Sequence, residues 1–173
     1  MQHYLLFDII NAFIHRLEAN PNNENSLNAV VSGIVNHYFP PSKGYIVLPR
    51  RHQNGKLNGF LVQRVNGEQL QGRRRWDHLL VLIKTPDTAE IHKEQRDKEI
   101  GDLNTENRSC WGLDIDGVYF RFYEYRAGKS RDDRVVARGP PDHPIQEAYH
   151  VRDDVESIHA MLQCMDGNLP SVH

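Results

Sequence analysis

The chain has 173 residues, a length that fits one domain better than two. Its 39% hydrophobic and 25% charged residues allow a core, which excludes wholesale disorder. A net charge of −2 excludes a strongly basic nucleic-acid footprint over the whole chain, and two cysteines are too few for a disulfide framework.

Tyr4 to Leu17 set Leu5, Leu6, Ile9, Ile10, Phe13, Ile14 and Leu17 at helical spacing, which predicts an N-terminal helix within residues 1–20 with one buried stripe. It has no basic start and no small-residue cleavage site, so it reads as a helix and not as a signal peptide. "NPNNENS" breaks it. A second helix carries Leu27, Val30, Val31, Ile34, Val35 and Tyr38 and stops at Pro40 and Pro41. The period then changes. "KGYIVLPRR" and "LNGFLVQRV" read as strands around a "QNGK" turn, and "NGEQLQGRRR" as a polar connection. "DHLLVLIKT" is apolar on both faces, which predicts a central strand.

After Pro86, Asp87 or Thr88 can cap a polar helix running to about Leu103. "SCWGLDIDGVYFRFYEYR" reads as two strands around Asp116-Gly117. Residues 127–151 read as a charged, exposed loop, and 152–166 as a last helix with Val155, Ile158, Met161, Leu162 and Met165 as its stripe. The order α-α-β-β-β-α-β-β-α implies a single α/β (α+β) domain, residues 1–173, built on a mixed central sheet flanked by helices. No apolar run reaches the ~20 residues of a bilayer span, so no membrane partner is expected. An intracellular setting, cytoplasmic or nuclear, is expected.

Within residues 24–126, "WDHLLVLIKTPD", "EIHKEQ" and "CWGLDIDGVYFRFYEY" resemble the PD-(D/E)XK nuclease-like superfamily, which has the restriction-endonuclease-like fold. The resemblance runs from about Glu24 to Tyr125, and the hairpin half is its more distinctive part. It places the family's Glu-X-Lys tripeptide on Leu82, Ile83 and Lys84, so the lysine is kept and the glutamate is not. The family's upstream aspartate falls near Asn58, with Gly59 beside it. Glu24 matches an acidic residue at the start of the second helix, and Gln95 a helix glutamine that contacts the site. Family members cleave phosphodiesters with Mg²⁺, which prefers oxygen ligands, and Leu82 offers none.

The resemblance therefore implies a degenerate nuclease-like protein, kept as a binding module for nucleic acid or protein, with no cofactor and no metal ligands. Arg73, Arg74 and Arg75 are its candidate phosphate contacts. An alternative is an active nuclease with Mg²⁺ held by a migrated carboxylate, Glu90 or Glu94, which share a helix face. A third class is a structural or regulatory protein that forms a homodimer through an apolar face, such as that of the N-terminal helix. Blander readings stand beside these. Lys84 can be a snorkelling strand-end lysine, Glu90 and Glu94 a solvated helix face, and Arg73–Arg75 a solvated loop. Most of the ten histidines read as surface residues, Cys110 and Cys164 as small core residues, and Asp114 and Asp116 as turn flanks. Trp111, Tyr119 and Tyr123 read as sheet packing.

Overall fold

The apolar start of the chain does not form one continuous helix. In the computed structural model, Tyr4–Leu6 is a short 3-10 turn, Phe7 is extended (φ −93°, ψ 110°), and helix α1 runs over Asp8–Ala19. The structure describes residues 1–51, 57–65, 75–84, 100, 103–126, 129–130, 133–141 and 143–170, with 57, 58 and 107 described for backbone only. Phe7 breaks the helical phase, so the buried stripe of α1 narrows to Ile10, Ile14 and Leu17. Leu6 and Ile9, expected in that stripe, are exposed instead, Ile9 at 70%.

Helix α2 (Glu24–Tyr38) behaves as its pattern predicts. Asn23 caps it by accepting the Ser26 N–H at 3.0 Å, and Leu27, Val30, Val31, Ile34, Val35 and Tyr38 are all buried. Gly44 (φ 84°), in the left-handed region open to glycine, then turns the chain into the sheet.

Strands β1 (Tyr45–Arg51), β2 (Leu57–Val65) and β3 (Arg75–Lys84) are antiparallel neighbours. Strand β4 (Ser109–Asp116) lies parallel to β3, and β5 (Tyr119–Arg126) returns antiparallel to β4. The sheet order is β1-β2-β3-β4-β5, with one further strand (β6, Val135–Arg138) beyond β5, a mixed α/β architecture as expected. The helix expected between Asp87 and Leu103 lies outside the described residues, save for a helical, buried Ile100 and for Leu103, which is outside any helix.

The expectation of a bare loop over 127–151 is corrected. Val135–Arg138 forms β6 and Tyr149–His150 forms β7, and both pair with the far edge of β5. Glu124 is the reason β6 holds. It is fully buried and accepts from Arg126 on its own strand at 2.9 and 3.1 Å and from the Arg138 Nε at 2.7 Å. Burial alone would raise the Glu124 carboxyl, but the hydrogen bonds from Arg126 and Arg138 prevail and hold it below the ordinary carboxylate range.

Helix α3 (Val155–Gly167) closes the helical layer with Ile158, Met161, Leu162 and Met165 buried. The last carbonyls of a helix have no partner within it, and here the sheet supplies donors. Tyr45 donates to the Asp166 carbonyl, His78 Nε2 to that of Met165 at 2.7 Å, and Trp111 Nε1 to that of Asn168, just past the helix, at 2.8 Å. His78 is thus a core residue, 1% exposed, where a surface position was expected. Helices α1, α2 and α3 cover one face of the sheet in one large apolar cluster. On the other face a smaller cluster holds Leu80, Leu82, Ile100, Cys110 and Tyr125. No helix among the described residues is long and apolar enough to cross a membrane.

Candidate functional site

Strand β3 is buried without a break from Asp77 to Ile83, and Lys84 at its end is half-exposed. Hydrogen-bonded neighbours on both sides and cover on both faces produce that pattern, as the apolar run implied. Alternation sends Leu79, Val81 and Ile83 to the helical face and Leu80 and Leu82, with Lys84 next in phase, to the other.

The register identifies what stands beside these residues. Gly59 on β2 is directly opposite Leu82. On β4, Asp114 is the partner of Leu82 and Asp116 the partner of Lys84. Of the two candidate positions for an upstream acid, Gly59 is therefore the one that faces Leu82. Its φ is 152°, and a Cβ built there would lie 1.9 Å from the Val81 carbonyl oxygen. No side chain fits at that position without moving a strand.

Leu82, 4% exposed, forms one wall of a small apolar pocket of about 10 Å³, together with Leu80, Ile100, Cys110, Tyr123 and Tyr125. Neither Leu82 nor Gly59 has a side-chain oxygen to offer Mg²⁺, so the two positions where the resemblance expects a carboxylate do not fit that ion. Lys84 makes no ion pair or hydrogen bond among the described residues, which also contain no group of three or more His, Cys, Asp or Glu able to hold a metal.

Asp114 is the residue that sequence reasoning undervalued. It was assigned to the turn, yet it is 5% exposed and lines the cavity beside Leu82. The missed signal was its phase: Asp114 sits four residues after Cys110 and so points to the same face. Asp116, one step further along that face, is exposed and lies 3.7 Å from Arg121.

The remaining candidates divide. Glu24 opens α2 at the same end of the sheet as Lys84, because Pro21, three residues earlier, packs 3.5 Å from the position of a Cβ at Gly117 in the β4–β5 turn. Glu24 has a polar partner of its own. Arg75 starts β3 and Lys84 ends it, which separates them by roughly 30 Å. They cannot share one phosphate-sized patch. Arg73, Arg74, Glu90, Glu94 and Gln95 lie outside the described residues, and Asn58 is described for backbone only. Asp77, the other acid of β3, is buried and accepts from Gln63 Nε2 at 2.8 Å and from the Asn104 N–H at 2.7 Å, a structural role.

The other reactive groups are packed as structure. Burial pushes the Cys110 thiol far above its ordinary value, which leaves no thiolate to attack. Trp111 is buried and packs the sheet as expected, whereas Tyr119 is 47% exposed and lies against the His150 ring. Comparison with protein-family models, with curated proteins and with solved structures found no match.

Proposed function

We propose that the chain is a PD-(D/E)XK nuclease-like protein without its metal site, working as a binding module for nucleic acid or for a protein. The observation that carries this reading is the pair Leu82 and Gly59. Both positions where the resemblance needs a carboxylate are apolar or without a side chain, and the second has no room for one. The strand order also supports it, with three antiparallel strands, a parallel neighbour to the third, and an antiparallel fifth.

Single- and double-stranded DNA and RNA, incubated with Mg²⁺ or Mn²⁺, are expected to remain intact. Binding to the same strands, followed by fluorescence anisotropy, is expected to weaken as salt rises if nucleic acid is the ligand. Metal-dependent cleavage that disappears in Lys84→Ala overturns the reading.

One observation favours a second reading. Asp114 and Asp116 stand in register beside Leu82 and Lys84, so the acids of a working site would come from β4 instead of Glu90 or Glu94. Cleavage abolished by Asp114→Asn establishes it. The protein-binding arm rests on the exposed Leu6, Phe7 and Ile9. Sedimentation that stays monomeric at every concentration removes the homodimer from it.

A further inference from the structure

Helix α1 is held firmly on its inner sides and leaves one side in water. Ile10, Ile14 and Leu17 enter the core, and Ile10 Cγ1 lies 3.1 Å from the position of a Cβ at Gly33 of α2. A neighbouring side is pinned by Arg152, which donates to Glu18 at 2.7 and 3.1 Å and to Asn11 at 2.9 Å. The outer side carries Asp8, Ile9, Ala12 and Arg16, all exposed. Leu6, 57% exposed, and Phe7, 37% exposed, extend it past the start of the helix. Apolar side chains grouped in water on a rigid helix mark an interaction surface. Asp8 and Arg16 stand one turn to either side of Ala12, and neither makes an ion pair among the described residues. Arg16 lies over the Phe13 ring, 5.5 Å from its centre.

Charge selects the occupant of this surface. An anionic lipid layer draws helices with a basic polar face, whereas here a carboxylate accompanies the guanidinium. The two charges are instead complementary to themselves. Ala12 is four residues from each, about 6 Å along the helix axis. When two copies of α1 pack antiparallel about a two-fold axis at Ala12, Asp8 of each copy comes level with Arg16 of the other. Such a contact is isologous, so every pair forms twice. The small Ala12 lets the helices approach, the long Arg16 side chain reaches across the seam, and Ile9, within one turn of the axis, is covered.

We propose that the protein forms a two-fold dimer through antiparallel α1 helices, closed by Ile9 and by two Asp8–Arg16 ion pairs between the copies. This rests on the protein-binding arm of the proposed function and names its partner, a second copy of the chain.

Sedimentation equilibrium of the full chain is expected to show a monomer–dimer equilibrium. Ile9→Glu, at a position already in water, is expected to give a monomer with an unchanged melting temperature. Asp8→Arg and Arg16→Asp each set like charges level with one another and are expected to weaken the dimer about tenfold or more. The double variant Asp8→Arg/Arg16→Asp restores the pairing with its signs exchanged and is expected to recover the original dissociation constant to within about threefold. A monomer at every concentration overturns the proposal, and so does binding to anionic vesicles in place of self-association. A dimer lost in Ile9→Glu yet indifferent to both single charge variants overturns this pairing and leaves the protein-binding arm standing. A dimer that persists in Ile9→Glu overturns both, since the exposed patch is then not the interface.

Discussion

The two faces of the sheet are built on different scales. Among the described residues, the helical face joins residues from α1, α2, α3 and the strands into one apolar cluster, whereas the opposite face gathers five buried residues with Leu61, Leu103 and Val135 packed against them. On the helical face Tyr45, His78 and Trp111 donate to the carbonyls at the end of α3, although His78 Nδ1 has no partner among the described residues. The opposite face carries Lys84, Asp114 and the cavity. The difference teaches where the polar groups of the candidate site stand. Among the described residues they share the thinner of the two faces, with Lys84 and Asp114 beside Leu82.

The largest effect is expected where the thinner face has no slack. Gly59→Asp should abolish folding or cost more than ~4 kcal/mol, measured by chemical denaturation, because its Cβ meets the Val81 carbonyl at 1.9 Å. Wild-type stability in this variant would mean that β2 can move, and the two faces would then not differ as described. Next comes a paired measurement. Phe122→Ala on the helical face should cost ~3–5 kcal/mol, and Leu82→Ala on the opposite face ~2–3 kcal/mol, since the larger ring loses more contacts and leucine borders a small pocket. Equal costs would erase the distinction.

Glu124→Gln should cost ~1–2 kcal/mol, less than a fully buried pair, because Arg126 and Arg138 remain partly in water. Its effect should also appear in pH titration. The folded Glu124 carboxyl is held below its ordinary 4.5, so its stabilisation is full above that pH and disappears as pH falls through the folded value. His78 gives a second, separate window. Burial holds it below its ordinary 6.5, so the unfolded chain binds more protons there, and stability falls as pH drops from 6.5 toward the folded value. His78→Gln should flatten that part of the profile, followed by thermal melts. The smallest effect is expected at Lys84→Ala, within ~0.5 kcal/mol, because the lysine ends its strand without a partner among the described residues.

How far the sequence carried these conclusions depends on what each feature rests on. The stripe of α2 was legible because one helical period runs unbroken from Leu27 to Tyr38. The stripe of α1 was misread because Phe7 takes an extended conformation that no spacing rule encodes. Strand β6 was hidden in "SRDDRVVARGPP". A run of four residues among charges and prolines gains its stability from pairing with β5 and from the Arg138–Glu124 contact, both distant in sequence. At the candidate site, the half-exposed Lys84 at the end of a buried strand was legible from the apolar run that precedes it. The part played by Asp114 was not, because parallel pairing between β3 and β4 decides which residues become neighbours. Nor was the closeness of Gly59 to Val81, which is a property of two strands together.

That closeness has a consequence for any attempt to build a carboxylate metal site here. A glutamate can be written at position 82 by ordinary substitution, but an acid at position 59 needs the backbone of β2 to separate from β3 first. Random mutagenesis one residue at a time therefore climbs toward a wall at this position, and a library that inserts or deletes residues in β2 has a path around it. The glycine works as a stop: position 82 is open to an acid, and position 59 is shut until the strands part.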